Sequence, residues 1–144
     1  MHPGTTGSAV PEAPQRPEDV VTGFWLWVIA LPLLLIGYVT DTVVAPVRFS
    51  TVIVVLVTVA VVLVLATVVL TFLFLMRAGY RWARSILTGG AIMSIGFTVS
   101  SLFTTDRPTA AALIYAVTGI VGVVLLAGGM VLLHRKDAQA YFTR

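Results

Sequence analysis

The octet Arg77-Ala78-Gly79-Tyr80-Arg81-Trp82-Ala83-Arg84 decides how this chain is read. It carries three arginines, and uncharged runs flank it, Phe49 to Met76 before and Ser85 to Thr105 after. A basic cluster between two such runs marks a loop held at the cytoplasmic face of a membrane, where lysine and arginine collect. Gly79 is placed to end the preceding helix in a left-handed cap. Arg77 then stands in a C-terminal turn, whose dipole favours a cation. Arg81 and Arg84 stand in an N-terminal turn, whose dipole opposes one by about 0.3–1 kcal/mol each. Anionic lipid returns roughly 1 kcal/mol per basic residue near the surface. The octet is therefore read as a topology signal and head-group clamp. Its anchors are Arg77, Arg81, Trp82 and Arg84, joined by Arg135 and Lys136 of the C-terminal tail.

Working outward, 58% of the 144 residues are hydrophobic and only 10% are charged. An ordinary soluble domain is about 25% charged. A chain so poor in charge cannot cover a water-facing surface, so a bilayer is the solvent for much of it. The length has room for one domain. The net charge is +3, but the basic residues lie between or after apolar runs. Lipid head groups rather than nucleic acid are thus the expected counter-ions. There are no cysteines, which removes disulfides, thiolate catalysis and Cys-based metal sites together.

Residues 1–20 carry Pro3, Pro11, Pro14 and Pro17 among small polar residues and are expected to be a disordered tail. Glu18 and Asp19 stand where a signal peptide would need a basic region, so the first apolar run is expected to be a retained span. Four spans are expected at about 22–40, 50–76, 85–105 and 109–133, within a transmembrane domain of 21–134. A basic tail, 135–144, follows. Each run approaches or exceeds the ~20 residues needed to cross the bilayer core. Pro32 falls inside the first. The second is rich in valine but several times too long for a strand, and a lone strand could not satisfy its backbone in lipid. Asp106-Arg107-Pro108 is too short a link for anything but a helical hairpin of spans three and four. The expected fold is an all-α membrane protein, an antiparallel up-down bundle of four transmembrane helices. Seven basic residues (Arg16, Arg77, Arg81, Arg84, Arg135, Lys136, Arg144) fall on the side of the termini and two (Arg48, Arg107) on the other. That bias makes both the N- and C-termini cytoplasmic.

Small residues recur at helical spacing in the third span (Gly89, Gly96, Ser100) and the fourth (Ala111, Thr118, Gly122, Gly129). They let helices approach closely. Either spans three and four pack together within one chain, or these faces form a homo-oligomer seam. No Asp, Glu, Lys, Arg or central His lies inside any span, so the ionisable groups that ion- and proton-coupled carriers use are missing. Small drug–proton antiporters are similar in size but need a carboxylate in the first span, and none lies between Asp19 and Asp41. Thr58, Thr67, Thr71, Ser94, Thr98, Ser100 and Ser101 could line a pore, though such hydroxyls ordinarily bond the preceding turn's carbonyl. His2 and His134 lack the carboxylates of a metal site, and no serine has a nearby base. Neither an enzyme nor a cofactor is expected. Asp41, Arg48, Asp106 and Arg107 share the non-cytoplasmic side and read as solvated loop charges that pair weakly.

The pattern Arg-x-Gly-x-x-Trp-Ala-Arg at 77–84, with Tyr141-Phe142 close to the end of the basic tail, resembles a group of small four-span integral membrane proteins of actinobacteria. The resemblance covers the spans. It implies the four-helix architecture and a multi-pass location in the bacterial cell (inner) membrane, and it transfers neither an activity nor a site residue. The expected function is that of a non-catalytic accessory, assembly or structural subunit. Its partners would be another membrane protein or further copies of itself, with anionic lipid head groups on the cytoplasmic side. The alternative is a small oligomeric channel or facilitator for a neutral or weakly polar solute.

Overall fold

A computed structural model describes residues 17–46 and 48–142. Arg16, Arg144, His2 and most of the expected disordered tail lie outside the described residues. The elements are α1 (Glu18–Val44), α2 (Thr51–Arg77), α3 (Arg81–Thr104), α4 (Thr109–Leu133) and a single turn, α5 (Lys136–Gln139). Among the described residues there is no strand, and α1 to α4 are each long and apolar enough to cross a membrane. At 24 to 27 residues they run about 36–40 Å, beyond the ~30 Å hydrocarbon core.

The first helix begins earlier than the sequence suggests. Pro17 precedes α1 with a φ of −54°, and Glu18 and Asp19 occupy its first turn. Proline is compatible with a helix start, and acidic residues suit the positive end of the helix dipole. Residues 18–20, expected in the tail, are therefore helical, and Val20 is fully buried. The second helix ends as its sequence indicates. Gly79 has a φ of +93°; its N–H donates to Met76 O, and the Tyr80 N–H donates to Leu75 O. That pair of bonds is a Schellman motif.

The tightest seam joins α1 to α4. Along α1 the seam positions are Gly23, Trp27, Ala30, Leu34, Gly37 and Asp41, in steps of four and three. That is the 3.5-residue repeat of a left-handed helix pair. Each glycine of the seam faces a large side chain. A Cβ built on Gly23 would meet Leu133, one on Gly37 Tyr115, one on Gly122 Leu34, and one on Gly129 the Trp27 indole. The N-terminal end of α1 thus lies at the C-terminal end of α4. The indole N–H of Trp27 donates to Leu126 O at 3.2 Å, so the polar atom of this buried ring is satisfied inside the seam.

α3 joins α4 more lightly, with Thr98 against Gly119. The small-residue face of α4 was expected to receive α3 or a second copy, but Gly122 and Gly129 are filled by α1. Ala111 is buried, and Thr118 is half-buried with its hydroxyl on Ile114 O. On α3 the residues of the expected face are open. No atom lies within 4 Å of a Cβ on Gly89 or Gly96, and Ser100 is exposed. The reason is steric. Trp27 and Leu34 project from α1 into the notches at Gly129 and Gly122, which leaves no room there for a side chain of α3. α2 is the loosest span, with only Leu73 and Met76 buried, both near the octet, and the rest of its length exposed or half-buried.

Candidate functional site

Asp41 sits in the last turn of α1, where the helix dipole disfavours an anion. Arg107, in the link between α3 and α4, reverses that penalty. Its Nε donates to Asp41 Oδ1 at 2.5 Å and its Nη2 to Asp41 Oδ2 at 2.8 Å. The other donors are used as well. Nη1 donates to Ser101 O (2.8 Å) and Thr105 O (3.3 Å), and Nη2 also donates to Ser101 Oγ (2.6 Å). The guanidinium lies 3.8 Å from the centre of the Tyr115 ring. All five N–H groups are thereby committed, and one face is covered by an aromatic ring. The Arg107 side chain is only 4% exposed and that of Asp41 27%. The hydrogen bond to Asp41 is the main influence raising the Arg107 pKa, against the opposing effect of burial.

These two residues were expected to be solvated charges in weak contact. They are instead a part-buried, bidentate lock that ties α1, the C-terminal end of α3 and the start of α4 together. The neighbouring Asp106 is exposed, and no side chain caps α4.

Beside this lock, α1, α2, α3 and α4 border a half-open cavity of about 760 Å³. It runs from Trp27 and Leu126 to Asp41 and Thr42, between walls that include Val69 and Leu87. Ser94, Thr98 and Tyr115 are among its few polar lining residues. Other hydroxyls considered for a pore do local work: Thr58, Thr67 and Thr71 each donate to a carbonyl four residues back.

At the opposite end, the octet and the C-terminal tail form one unit. The Tyr141 hydroxyl donates to Arg77 O at 2.7 Å, and Tyr141 lies against Gly79. Arg84 donates to Leu133 O at 3.2 Å, where a cation suits the end of α4, and its guanidinium stacks 4.7 Å from the Phe142 ring. Ala138 and Phe142 are buried. Arg77 lies 5.0 Å from the ring of Phe24. Of the six residues read as lipid anchors, Arg77 and Arg84 are thus engaged within the protein. Arg81, Trp82, Arg135 and Lys136 are exposed, and Arg135 is 3.5 Å from Asp19 in a largely open pair. The tail contacts had one legible signal, the Tyr141-Phe142 pair, which is out of place in a solvated basic tail. Tyr141→Phe removes the bond to Arg77 O and is expected to lower stability by about 1 kcal/mol. Trypsin should then cut the detergent-solubilised protein faster after Arg135 and Lys136; an unchanged cleavage rate would mean that this bond does not hold the tail.

Among the described residues no group of His, Cys, Asp or Glu is placed to hold a metal ion. No family model, no curated protein and no solved structure matches this chain.

Proposed function

We propose that the chain is a non-catalytic, multi-pass protein of a bacterial inner membrane that serves as an accessory or assembly subunit by packing against other membrane helices. In this reading it is an antiparallel up-down bundle with cytoplasmic termini, and the octet and tail face anionic lipid. The observation that carries the proposal is a contrast between faces. Gly122 and Gly129 of α4 are filled by α1, whereas Gly89 and Gly96 of α3 meet nothing and α2 is buried only at Leu73 and Met76. Between helices in lipid, close contact through small residues is a main source of affinity, so unfilled faces of this kind suit a helix partner.

The native chain has no cysteine, so single substitutions test this directly. Labelled with a benzophenone maleimide and irradiated, so that the photoexcited ketone inserts into any neighbouring C–H bond, Gly96→Cys on α3 and Val57→Cys on α2 are expected to form crosslinked species in native membranes. Gly37→Cys, inside the α1–α4 seam, should form none. If every position leaves only the uncrosslinked monomer, neither a partner nor a second copy covers these faces and the proposal fails.

A further inference from the structure

We infer that the cavity bordered by α1, α2, α3 and α4 is a binding site for a single-chain amphiphile whose head group donates hydrogen bonds, such as a long-chain alcohol. The inference rests on the membrane reading above but not on the packing of any partner, so crosslinking results leave it standing or falling by itself.

Shape is the first argument. The cavity is bordered by α1 from Trp27 to Asp41 and beyond, and 14 residues of helix rise about 21 Å. A volume of about 760 Å³ drawn out over that length suits an extended hydrocarbon chain better than a compact solute. Its walls are apolar over nearly the whole run and it is half open, which in the membrane reading lets a chain enter from the bilayer without crossing water. A void of this size within a membrane protein is not left empty when hydrocarbon is the surrounding solvent.

Polarity at one end is the second argument, and it selects the head group. Asp41 and Thr42 lie where the cavity reaches the end of α1. Arg107 is the cation nearest by, yet all five of its N–H groups are already given to Asp41, Ser101 and Thr105. It has no donor left for a phosphate. Each Asp41 oxygen accepts one of those bonds and keeps further acceptor capacity. The Thr42 hydroxyl donates to Tyr38 O, which likewise leaves its oxygen as an acceptor. This end therefore asks for donors, which a hydroxyl has and a phosphodiester lacks.

Trp27 at the far end provides the readout. Trp25 and Trp82 are about half exposed, so Trp25→Phe with Trp82→Phe leaves Trp27 as the sole tryptophan, excited selectively over the tyrosines at the red edge of indole absorption. The full-length protein is reconstituted in phosphatidylcholine vesicles, and a long-chain alkan-1-ol brominated near its methyl end is titrated in. Saturable quenching of Trp27 is expected, reversed by the unbrominated alcohol. Phosphatidylcholine brominated at the same depth should quench only in proportion to its amount. Gly90 lines the cavity, and a Cβ there meets no atom within 4 Å. Gly90→Leu should therefore fill the slot and abolish the saturable component, with Ser94→Leu as a second filling variant should the first not fold. Absence of saturation, equal quenching by brominated phosphatidylcholine, or saturation that survives in a folded filling variant each overturns the assignment.

Discussion

Gly129→Ala is expected to be among the most damaging single-methyl changes in the chain. A Cβ at this position would overlap the Trp27 indole and stand 3.2 Å from Gly23 O. The indole cannot yield easily, because its ring is buried and its N–H is held by Leu126 O. Either the ring turns and that hydrogen bond breaks, or α1 and α4 separate along the seam. Overpacking of this kind costs about 1–3 kcal/mol, and loss of the hydrogen bond about 1 kcal/mol more. Gly122→Ala should cost less, since the obstructing atoms are the outer carbons of Leu34, which can change rotamer. Gly96→Ala has nothing in its way and should be neutral or stabilising by about 0.5–1 kcal/mol through helix propensity alone. Thermal unfolding in one detergent ranks the three. Equal effects at Gly129 and Gly96 would contradict the seam, whereas recovery of Gly129→Ala by Trp27→Leu would locate the clash at the indole.

That ranking also shows where the sequence was informative. The small residues of α4 were visible as a stripe, because a helix face leaves a periodic trace. Their partner was not visible, because a glycine notch is the same whichever helix fills it. The trace on α1, with Gly23, Trp27, Ala30, Leu34, Gly37 and Asp41 in alternating steps of four and three, was equally present in the residues. It was hidden because two of its members are large and one is charged, so it did not look like a small-residue face. The Gly79 cap followed from local rules of backbone geometry, and α4 spans Thr109–Leu133, whereas α1, at Glu18–Val44, outruns its expected 22–40 at both ends. Pairings between distant residues, such as Tyr141 with Arg77 and Asp41 with Arg107, depend on which helices become neighbours. Nothing local encodes that. Isolated charges beside spans are normally solvated, so the general expectation pointed away from Asp41–Arg107.

The second large effect is expected at that pair, and its two members should not be equivalent. Arg107→Leu removes bonds to Asp41, to the Ser101 and Thr105 carbonyls at the end of α3 and to Ser101 Oγ, together with the contact on Tyr115. It also leaves Asp41 at the wrong end of a helix dipole without a counter-charge. Breaking a buried pair from one side costs about 3–5 kcal/mol; the upper part of that range is tempered here because Asp41 keeps some contact with solvent, so about 3–4 kcal/mol is expected. Asp41→Asn is milder. The guanidinium retains its bonds to Ser101 and Thr105 and the face of Tyr115, and the amide oxygen of asparagine still accepts one N–H, so a loss of about 2 kcal/mol follows. In the double variant Asp41→Leu with Arg107→Leu no charge is left without its partner, and it should be more stable than Arg107→Leu alone. A double-mutant cycle built on the two leucine variants measures the coupling, with denaturant or thermal unfolding as the readout. Single-variant losses and a coupling all under about 1 kcal/mol would mark the pair as an ordinary exposed contact. The larger values would make it the lock that fixes how far α1, α3 and α4 stand apart at this end, and hence how wide the cavity beside it can open.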